Sequence, residues 1–130
     1  MAAAAARDHG LVLTARCENH LHGIDDLDDT IGRLQAYRRV GAEVVYAPAL
    51  VDLDVIRRVV DEVGTEVNVL LLPGGPTVEQ LAAAGVRRVS LGGALAHAAY
   101  AAAVEVARSV LDEGVLPPDP GRIPSHLVAA

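Results

Sequence analysis

The sequence predicts an α/β fold built from four parallel βα units, half of a (β/α)8 barrel. Three observations predict it. Four short apolar runs begin near residues 11, 44, 67 and 88, and each leads through a loop into a segment of helical periodicity. The runs are nearly continuous in apolar residues, as strands covered on both faces are. The segment after each run accommodates a helix, and repeated strand-loop-helix units imply a parallel sheet with its chemistry at the strand C-termini. Four units leave the first and last strands with unpaired backbone groups, so the half barrel is expected to be incomplete: it associates, forms an open sheet, or is part of a longer product in which Met1 is an internal start.

The elements follow in order. Residues 1–8 read as the last turns of a helix. Leu11 to Ala15 is the first strand, and the polar segment Arg16 to Gly23 follows it. Asp25, Asp26, Asp28 and Asp29 gather at a helix start, where acids suit the exposed N–H groups, and Leu27, Ile31, Leu34 and Tyr37 recur at helical spacing. Gly41 is expected to close that helix in a left-handed conformation. The second strand is Val44 to Ala47, turning at Pro48, and its helix enters through Asp52 with an apolar stripe of Ile56, Val59, Val60 and Val63 before Gly64. The third strand is Val67 to Leu71, and Thr77 and Gln80 have the spacing of a capping box ahead of a short helix that ends at Gly85. Arg88 to Leu91 is the fourth strand, and Gly92-Gly93 leads into a long helix from Ala94 to about Glu113. The proline-rich residues 115–130 cannot continue it and are expected to form a flexible tail. The organisation expected is thus a partial barrel over 1–114 and a tail over 115–130.

Composition excludes several classes. The chain has 130 residues and 13.5 kDa, enough for one domain with a core. A hydrophobic share of 52% and a mean hydropathy of +0.31 exclude general disorder, yet no apolar run approaches the roughly 20 residues of a membrane span. With no Phe or Trp, Val, Leu, Ile and Ala must fill the core. A net charge of −6 and only isolated arginine pairs argue against a nucleic-acid surface, which needs clustered cations to displace counterions. The lone Cys17 forms no internal disulfide and fits a reducing cytoplasm, and residues 1–8 lack the basic start and apolar stretch of a secretory signal.

In sequence order, Thr14-Ala-Arg-Cys-Glu-Asn19, Gly41-Ala-Glu-Val-Val-Tyr-Ala-Pro48, Val67-Asn-Val69 and Gly85-Val-Arg-Arg-Val-Ser-Leu-Gly-Gly93 resemble the isocitrate lyase/phosphoenolpyruvate mutase family over roughly residues 8–114. The resemblance implies the second half of a TIM-type barrel whose members bind Mg²⁺ and small 2-oxo acids or their enolates, and cleave or rearrange C–C or P–C bonds. It also implies that the family's metal site, on an Asp-x-Asp-x-Gly type of segment, and its mobile gating loop belong to the first half. The four acids at 25–29 do not replace that metal site, since they stand at a helix start.

Arg16 is the strongest candidate for binding substrate. A guanidinium at a strand C-terminus can hold a carboxylate or phosphonate through two parallel hydrogen bonds at any working pH, and the resemblance places an Arg of this context at the substrate. Its alternative is an ion pair with Glu18 or another nearby acid. Glu18 either orients Arg16 or belongs to an acidic lining around a metal-bound water network. Asn68, a polar residue inside an apolar strand, either orients substrate, as the resemblance implies, or is satisfied by adjacent backbone. Gly92 and Gly93 either expose backbone N–H groups to an anion or serve a tight strand-to-helix turn.

Tyr46 and Ala47 stand where the resemblance leads one to expect Glu or His, so packing is the expected role of the phenol. Alternation with Arg16 directs Cys17 to the opposite side as a packed thiol. Asn19, His20 and His22 read as loop residues without a third metal ligand. Pro73-Gly74-Gly75-Pro76 has no Lys or Ser/Thr in the register of a phosphate loop.

The functional expectation is a partial lyase or mutase for small carboxylate or phosphonate ligands, inactive as an isolated chain. The alternative is a non-catalytic half barrel that assembles with itself or with a complementary half. The resemblance implies exchange of the last helix between subunits, which the long Ala94–Glu113 segment permits.

Overall fold

A computed structural model describes residues 2–122 and residue 124. The chain divides into two compact units, Met1–Leu91 and Gly92–Ala130. The first contains α1 (Ala2–Asp8), β1 (Thr14–Arg16), a 3₁₀ turn (Asn19–His22), α2 (Leu27–Arg39), β2 (Val44–Tyr46), α3 (Leu53–Val63), β3 (Glu66–Leu70), α4 (Val78–Ala83) and β4 (Arg88–Ser90). The strands lie in the order β1-β2-β3-β4 and every pair is parallel. The α/β class and the four-strand count are those the sequence predicts.

The sheet register sorts side chains onto two faces. Thr14 pairs with Val44 and Val44 with Glu66, while Arg16, Tyr46, Asn68 and Arg88 form one continuous row. Residues of odd and even position alternate across a strand, so Ala15, Cys17, Val45, Ala47, Val67, Val69 and Val89 turn toward the helices. There they pack with Ile31, Leu34, Ile56, Val59, Val63, Leu81 and Val86 in an aliphatic core without a single Phe or Trp. The row with Arg16 belongs to the other face.

Local chemistry sets the helix ends. The Asp26 carboxylate accepts from the Asp29 N–H at the start of α2, and that of Asp52 accepts from the N–H groups of Asp54 and Val55 at the start of α3. Thr77 and Gln80 form the expected reciprocal capping box at α4. Gly85, just past α4, has φ +85, and a Cβ there would stand 2.9 Å from Val60 Cγ1; both the conformation and the close approach require glycine.

β1 starts three residues later than expected. The Leu13 carbonyl accepts from the N–H groups of Glu43 and Val44, where β2 begins, and Leu11 and Val12 upstream of it are each 63% exposed. A strand-like sequence without a neighbour to pair with is not a strand.

The second unit contains α5 (Ala94–Arg108), which continues as a π-helical turn, Ser109–Glu113. Gly114, at φ +73, closes it, and the Ser109 hydroxyl donates to the Val115 carbonyl. Residues 115–122 and 124 of the expected tail have no regular secondary structure, while 123 and 125–130 lie outside the described residues. Among the described residues no helix is long and apolar enough to cross a membrane.

Leu34 is fully buried at the centre of the first unit's core. Truncation to Ala removes its contacts and leaves a cavity, so Leu34→Ala is expected to lower unfolding free energy by about 2–5 kcal/mol. Val78→Ala on the exposed side of α4 is expected to stay within about 0.5 kcal/mol. Denaturant unfolding of the two variants checks the contrast.

Candidate functional site

Arg16 is the last residue of β1, and strand alternation turns it away from the helices onto the face that carries the polar row. Its Nε lies 2.7 Å from Glu18 Oε1, with both side chains nearly half exposed. The other Glu18 oxygen is 3.5 Å from His22 Nε2. The guanidinium carbon stands 5.3 Å from the centroid of the Tyr46 ring, next in the row. Glu18 thus takes the Nε side of the guanidinium and Tyr46 supports its face, which leaves the terminal NH₂ groups as the available pair of donors. The two alternatives for Arg16 coexist here: it pairs with Glu18, and it stands half exposed at a strand C-terminus. Tyr46 packs, as its sequence context leads one to expect, with 9% exposure.

Asn68 follows Tyr46 in the row and is 1% exposed. Its Nδ2 donates to Ser90 Oγ at 3.0 Å, but Oδ1 has no hydrogen-bond partner. The side chain of Ser90, not adjacent backbone, takes up the amide. A buried acceptor without a donor costs about 1–3 kcal/mol, and a native fold keeps one where it does something or where a ligand or water supplies the donor.

At the end of the row, Arg88 Nη1 donates to Thr14 Oγ1 at 3.3 Å. β1 and β4 are three interstrand steps apart, roughly 14 Å in a flat sheet, more than these two side chains can bridge. The sheet is therefore curved, and the face with Arg16, Tyr46, Asn68 and Arg88 is its concave face. Ser90, Arg88 and Thr14 were not among the sequence candidates. Their signal was the i, i+2 polar spacing of Thr14/Arg16, Glu66/Asn68 and Arg88/Ser90, inside runs that read as simply apolar.

The loop after β1 is fastened to α2. Asn19 Nδ2 donates to Asp29 Oδ2 at 2.8 Å and to Thr30 Oγ1 at 3.1 Å, and the Thr30 hydroxyl donates to the Asp26 carbonyl. Arg33, then the Asn19 amide, hold the Asp29 carboxyl below its ordinary value of 3.8. His20 lies within 3.4 Å of Asp25 and 3.3 Å of Thr30. Cys17 is buried at 2% exposure among the helix-side residues, opposite Arg16. Asn19 thus anchors the loop, a more specific role than that of an ordinary turn residue.

Gly92 and Gly93 open the second unit. Gly92 has φ +54, and the His97 ring lies 3.0 Å from where a Cβ on Gly93 would stand; no side chain caps the start of α5. Among the described residues no group of three or more His, Cys, Asp or Glu is placed to hold a metal ion, so the Mg²⁺ implied by sequence resemblance finds no fitting ligand set here.

On the concave face Val44, Tyr46 and Asn68 are themselves buried. A void of about 10 Å³ beside Asn68, lined otherwise by the helix-side residues Ala47, Leu50, Ile56, Val59, Val67 and Val69, holds at most one water. A wider surface groove of about 310 Å³ runs between the loops after β1 and β2, past His20, Asp25, Ala49, Leu50, Val51 and Asp52.

The family model described as phosphoenolpyruvate phosphomutase matches residues 1–111. A candidate lyase/mutase from Burkholderia cenocepacia J2315 is 45% identical, with a TM-score of 0.83 over 99% of this chain and 49% of its own. Oxaloacetate acetylhydrolase, solved with its product oxalate, is 28% identical, with a TM-score of 0.79 over 98% of this chain and 46% of its own. A candidate phosphonomutase, also from Burkholderia cenocepacia J2315, is 28% identical, with a TM-score of 0.65 over 88% of this chain and 47% of its own. The chain therefore spans about half the length of the solved proteins it matches. No curated protein sequence gives a significant match.

The anchored loop predicts an acid dependence. Asp29 has a lowered folded-state pKa, so its stabilising contribution is complete above 3.8 and is lost as pH falls through the folded value. Asp29→Asn is expected to flatten the acid side of the stability profile and to leave its neutral side changed only by a constant. Urea midpoints measured across that range check it.

Proposed function

The chain belongs to the phosphoenolpyruvate phosphomutase family, within the isocitrate lyase/phosphoenolpyruvate mutase superfamily, and from that premise we propose that it is the anion-gripping half of a lyase or mutase acting on small carboxylates or phosphonates. One observation carries the reading: Arg16, at the C-terminal end of a parallel strand, is braced by Glu18 and Tyr46 with its NH₂ pair available on the concave face. Oxalate bound to a 28% identical relative supports a small dicarboxylate as the ligand class. The proposed location is the cytoplasm, where a lone buried thiol stays reduced.

Each residue then has a part. Arg16 holds the terminal carboxylate or phosphonate through two parallel hydrogen bonds, which fixes the plane of the acidic group. Glu18 keeps the guanidinium turned to the rim. Asn68 Oδ1, which lacks a donor, accepts from the hydroxyl of a 2-hydroxy acid or of a hydrated 2-oxo acid, and Ser90 fixes the amide for that bond. With no fitting metal-ligand set among the described residues, this chain's own share is to bind and orient, and bond cleavage depends on groups supplied by other parts of a complete barrel.

Calorimetric titration of the chain with 2-oxo and 2-hydroxy dicarboxylates, with and without Mg²⁺, tests the reading. Arg16→Ala is expected to weaken binding by roughly 10- to 100-fold, the loss of a charge-assisted bond of about 1.5–3 kcal/mol, while Arg16→Lys recovers part of it. Binding that ignores Arg16→Ala refutes the assignment. Asn68→Ala is expected to weaken 2-hydroxy acids more than the same acids without the hydroxyl; equal losses exclude its contact with the hydroxyl.

A further inference from the structure

We propose that Arg88 is the second anion-binding residue of the concave face and the one that selects diacids: it takes the far carboxylate of a ligand whose near carboxylate Arg16 holds. The proposal rests on the ligand reading above and adds to it the length and charge of the ligand.

Three observations carry it. First, the row Arg16, Tyr46, Asn68, Arg88 has a cation at each end of the concave face. Tyr46 and Asn68 are buried, whereas Arg16 and Arg88 are exposed. The two middle residues thus form a neutral floor with a guanidinium at either end. Second, curvature brings those ends together. Arg88 stands on β4, yet its Nη1 reaches Thr14 Oγ1 on β1 at 3.3 Å. Thr14 precedes Arg16 by two residues on the same face of the same strand, a backbone separation of roughly 7 Å. The Arg88 guanidinium is therefore carried across the sheet to the strand that bears Arg16. Third, only one of the two charges is balanced locally. Glu18 pairs with Arg16, and Glu66, the acid before Asn68 on this face, lies 3.7 Å from Arg87. Arg88 forms no ion pair among the described residues, and the partner it does have is a neutral hydroxyl.

At a spacing of this order, near the Debye length of about 8 Å at physiological salt, the two cations still repel one another. A dianion lying over the floor removes that repulsion and adds charge-assisted bonds at both ends. A guanidinium has five N–H donors, and the Thr14 bond occupies one of those on Arg88, so donors remain for a carboxylate. Ligand length then matters. Oxalate, whose carboxyl carbons are bonded to each other, is served by Arg16 alone, while a four-carbon diacid extends its far carboxylate toward Arg88.

The test compares two acids that differ in one group. Malate carries a second carboxylate where 2-hydroxybutyrate carries a methyl group, and both keep the 2-hydroxy acid end assigned to Arg16. In calorimetry the unaltered chain is expected to bind malate roughly 10- to 100-fold more tightly than 2-hydroxybutyrate. Arg88→Gln is expected to remove most of that preference, and Arg88→Lys to keep part of it. The affinities of Arg88→Gln for 2-hydroxybutyrate and oxalate are expected to stay unchanged, which also reports an intact fold. Arg87→Gln removes an equal charge from the adjacent position, where the side chain lies beside Glu66, and is expected to leave the preference in place. A preference that survives Arg88→Gln overturns the proposal, as does equal weakening of both acids, because Arg88 then only braces the curved sheet. A preference reduced as much by Arg87→Gln also overturns it, since net charge alone then explains the effect. Weakening of both acids by Arg16→Ala with no effect of Arg88→Gln sinks this proposal and spares the ligand reading; an unaltered chain that binds neither acid sinks both.

Discussion

Side chains alternate across the four parallel strands, and the sheet is bent toward one of its faces; the division of labour in the first unit depends on those two facts together. Alternation alone would put Arg16 and Cys17 on opposite sides. Curvature adds that the side without helices is the inside, where neighbouring strands bring side chains toward one another. Arg16, Tyr46, Asn68 and Arg88 share that side because they are register partners. A slip of one residue would send a guanidinium into the aliphatic core and Val45 or Val67 to the concavity. The core resists such a slip, since Val45 is fully buried against the helices and Val67 nearly so.

The helix side therefore supplies the stability that lets the concave side keep costly groups. A core of mainly Val, Leu, Ile and Ala, without Phe or Trp, packs on the sheet through many small contacts, each methylene worth about 0.8 kcal/mol when buried. Against this stands the unpartnered Oδ1 of Asn68. An apolar residue of similar size would remove that cost. The polar side chain persists in the middle of β3, with Ser90 positioned to hold it, and this places the strain on the face where the strand ends converge.

Much of this was legible in the sequence, for identifiable reasons. Helix starts were legible at Asp52 and at Thr77/Gln80 because capping is local: the side chain bonds N–H groups two or three residues away. The burial of Cys17 was legible because alternation needs only one strand. The concave partners were harder. Nothing near Arg88 in the sequence announces that it reaches Thr14, 74 positions away, and Ser90 gains its meaning only when register sets it beside Asn68. The start of β1 differs from the sequence expectation for the same reason in reverse: Leu11 and Val12 have strand-forming residue types, but a strand is a relation between two chain segments, and β2 begins too late to pair with them. The π turn at Ser109–Glu113 has no sequence signal comparable to a cap.

Whether Arg16 is free for a ligand is decided by magnitudes. Its partner Glu18 is close, yet both groups are nearly half exposed, and an ion pair in water is worth only about 0–1 kcal/mol. Support from the Tyr46 ring adds about 0.5–1 kcal/mol at such an exposed position. Together these restrain the guanidinium without saturating it: they narrow the orientations it samples, which lowers the entropy lost when an acid binds. A carboxylate bonding both terminal NH₂ groups gains about 1.5–3 kcal/mol, more than the pair with Glu18 opposes, and Glu18 can stay on Nε while the ligand takes the other edge. A buried Arg–Glu pair would have behaved differently, since breaking it would leave an uncompensated charge away from water. The exposure of the pair, and not its short distance, is what keeps the terminal NH₂ groups of Arg16 accessible.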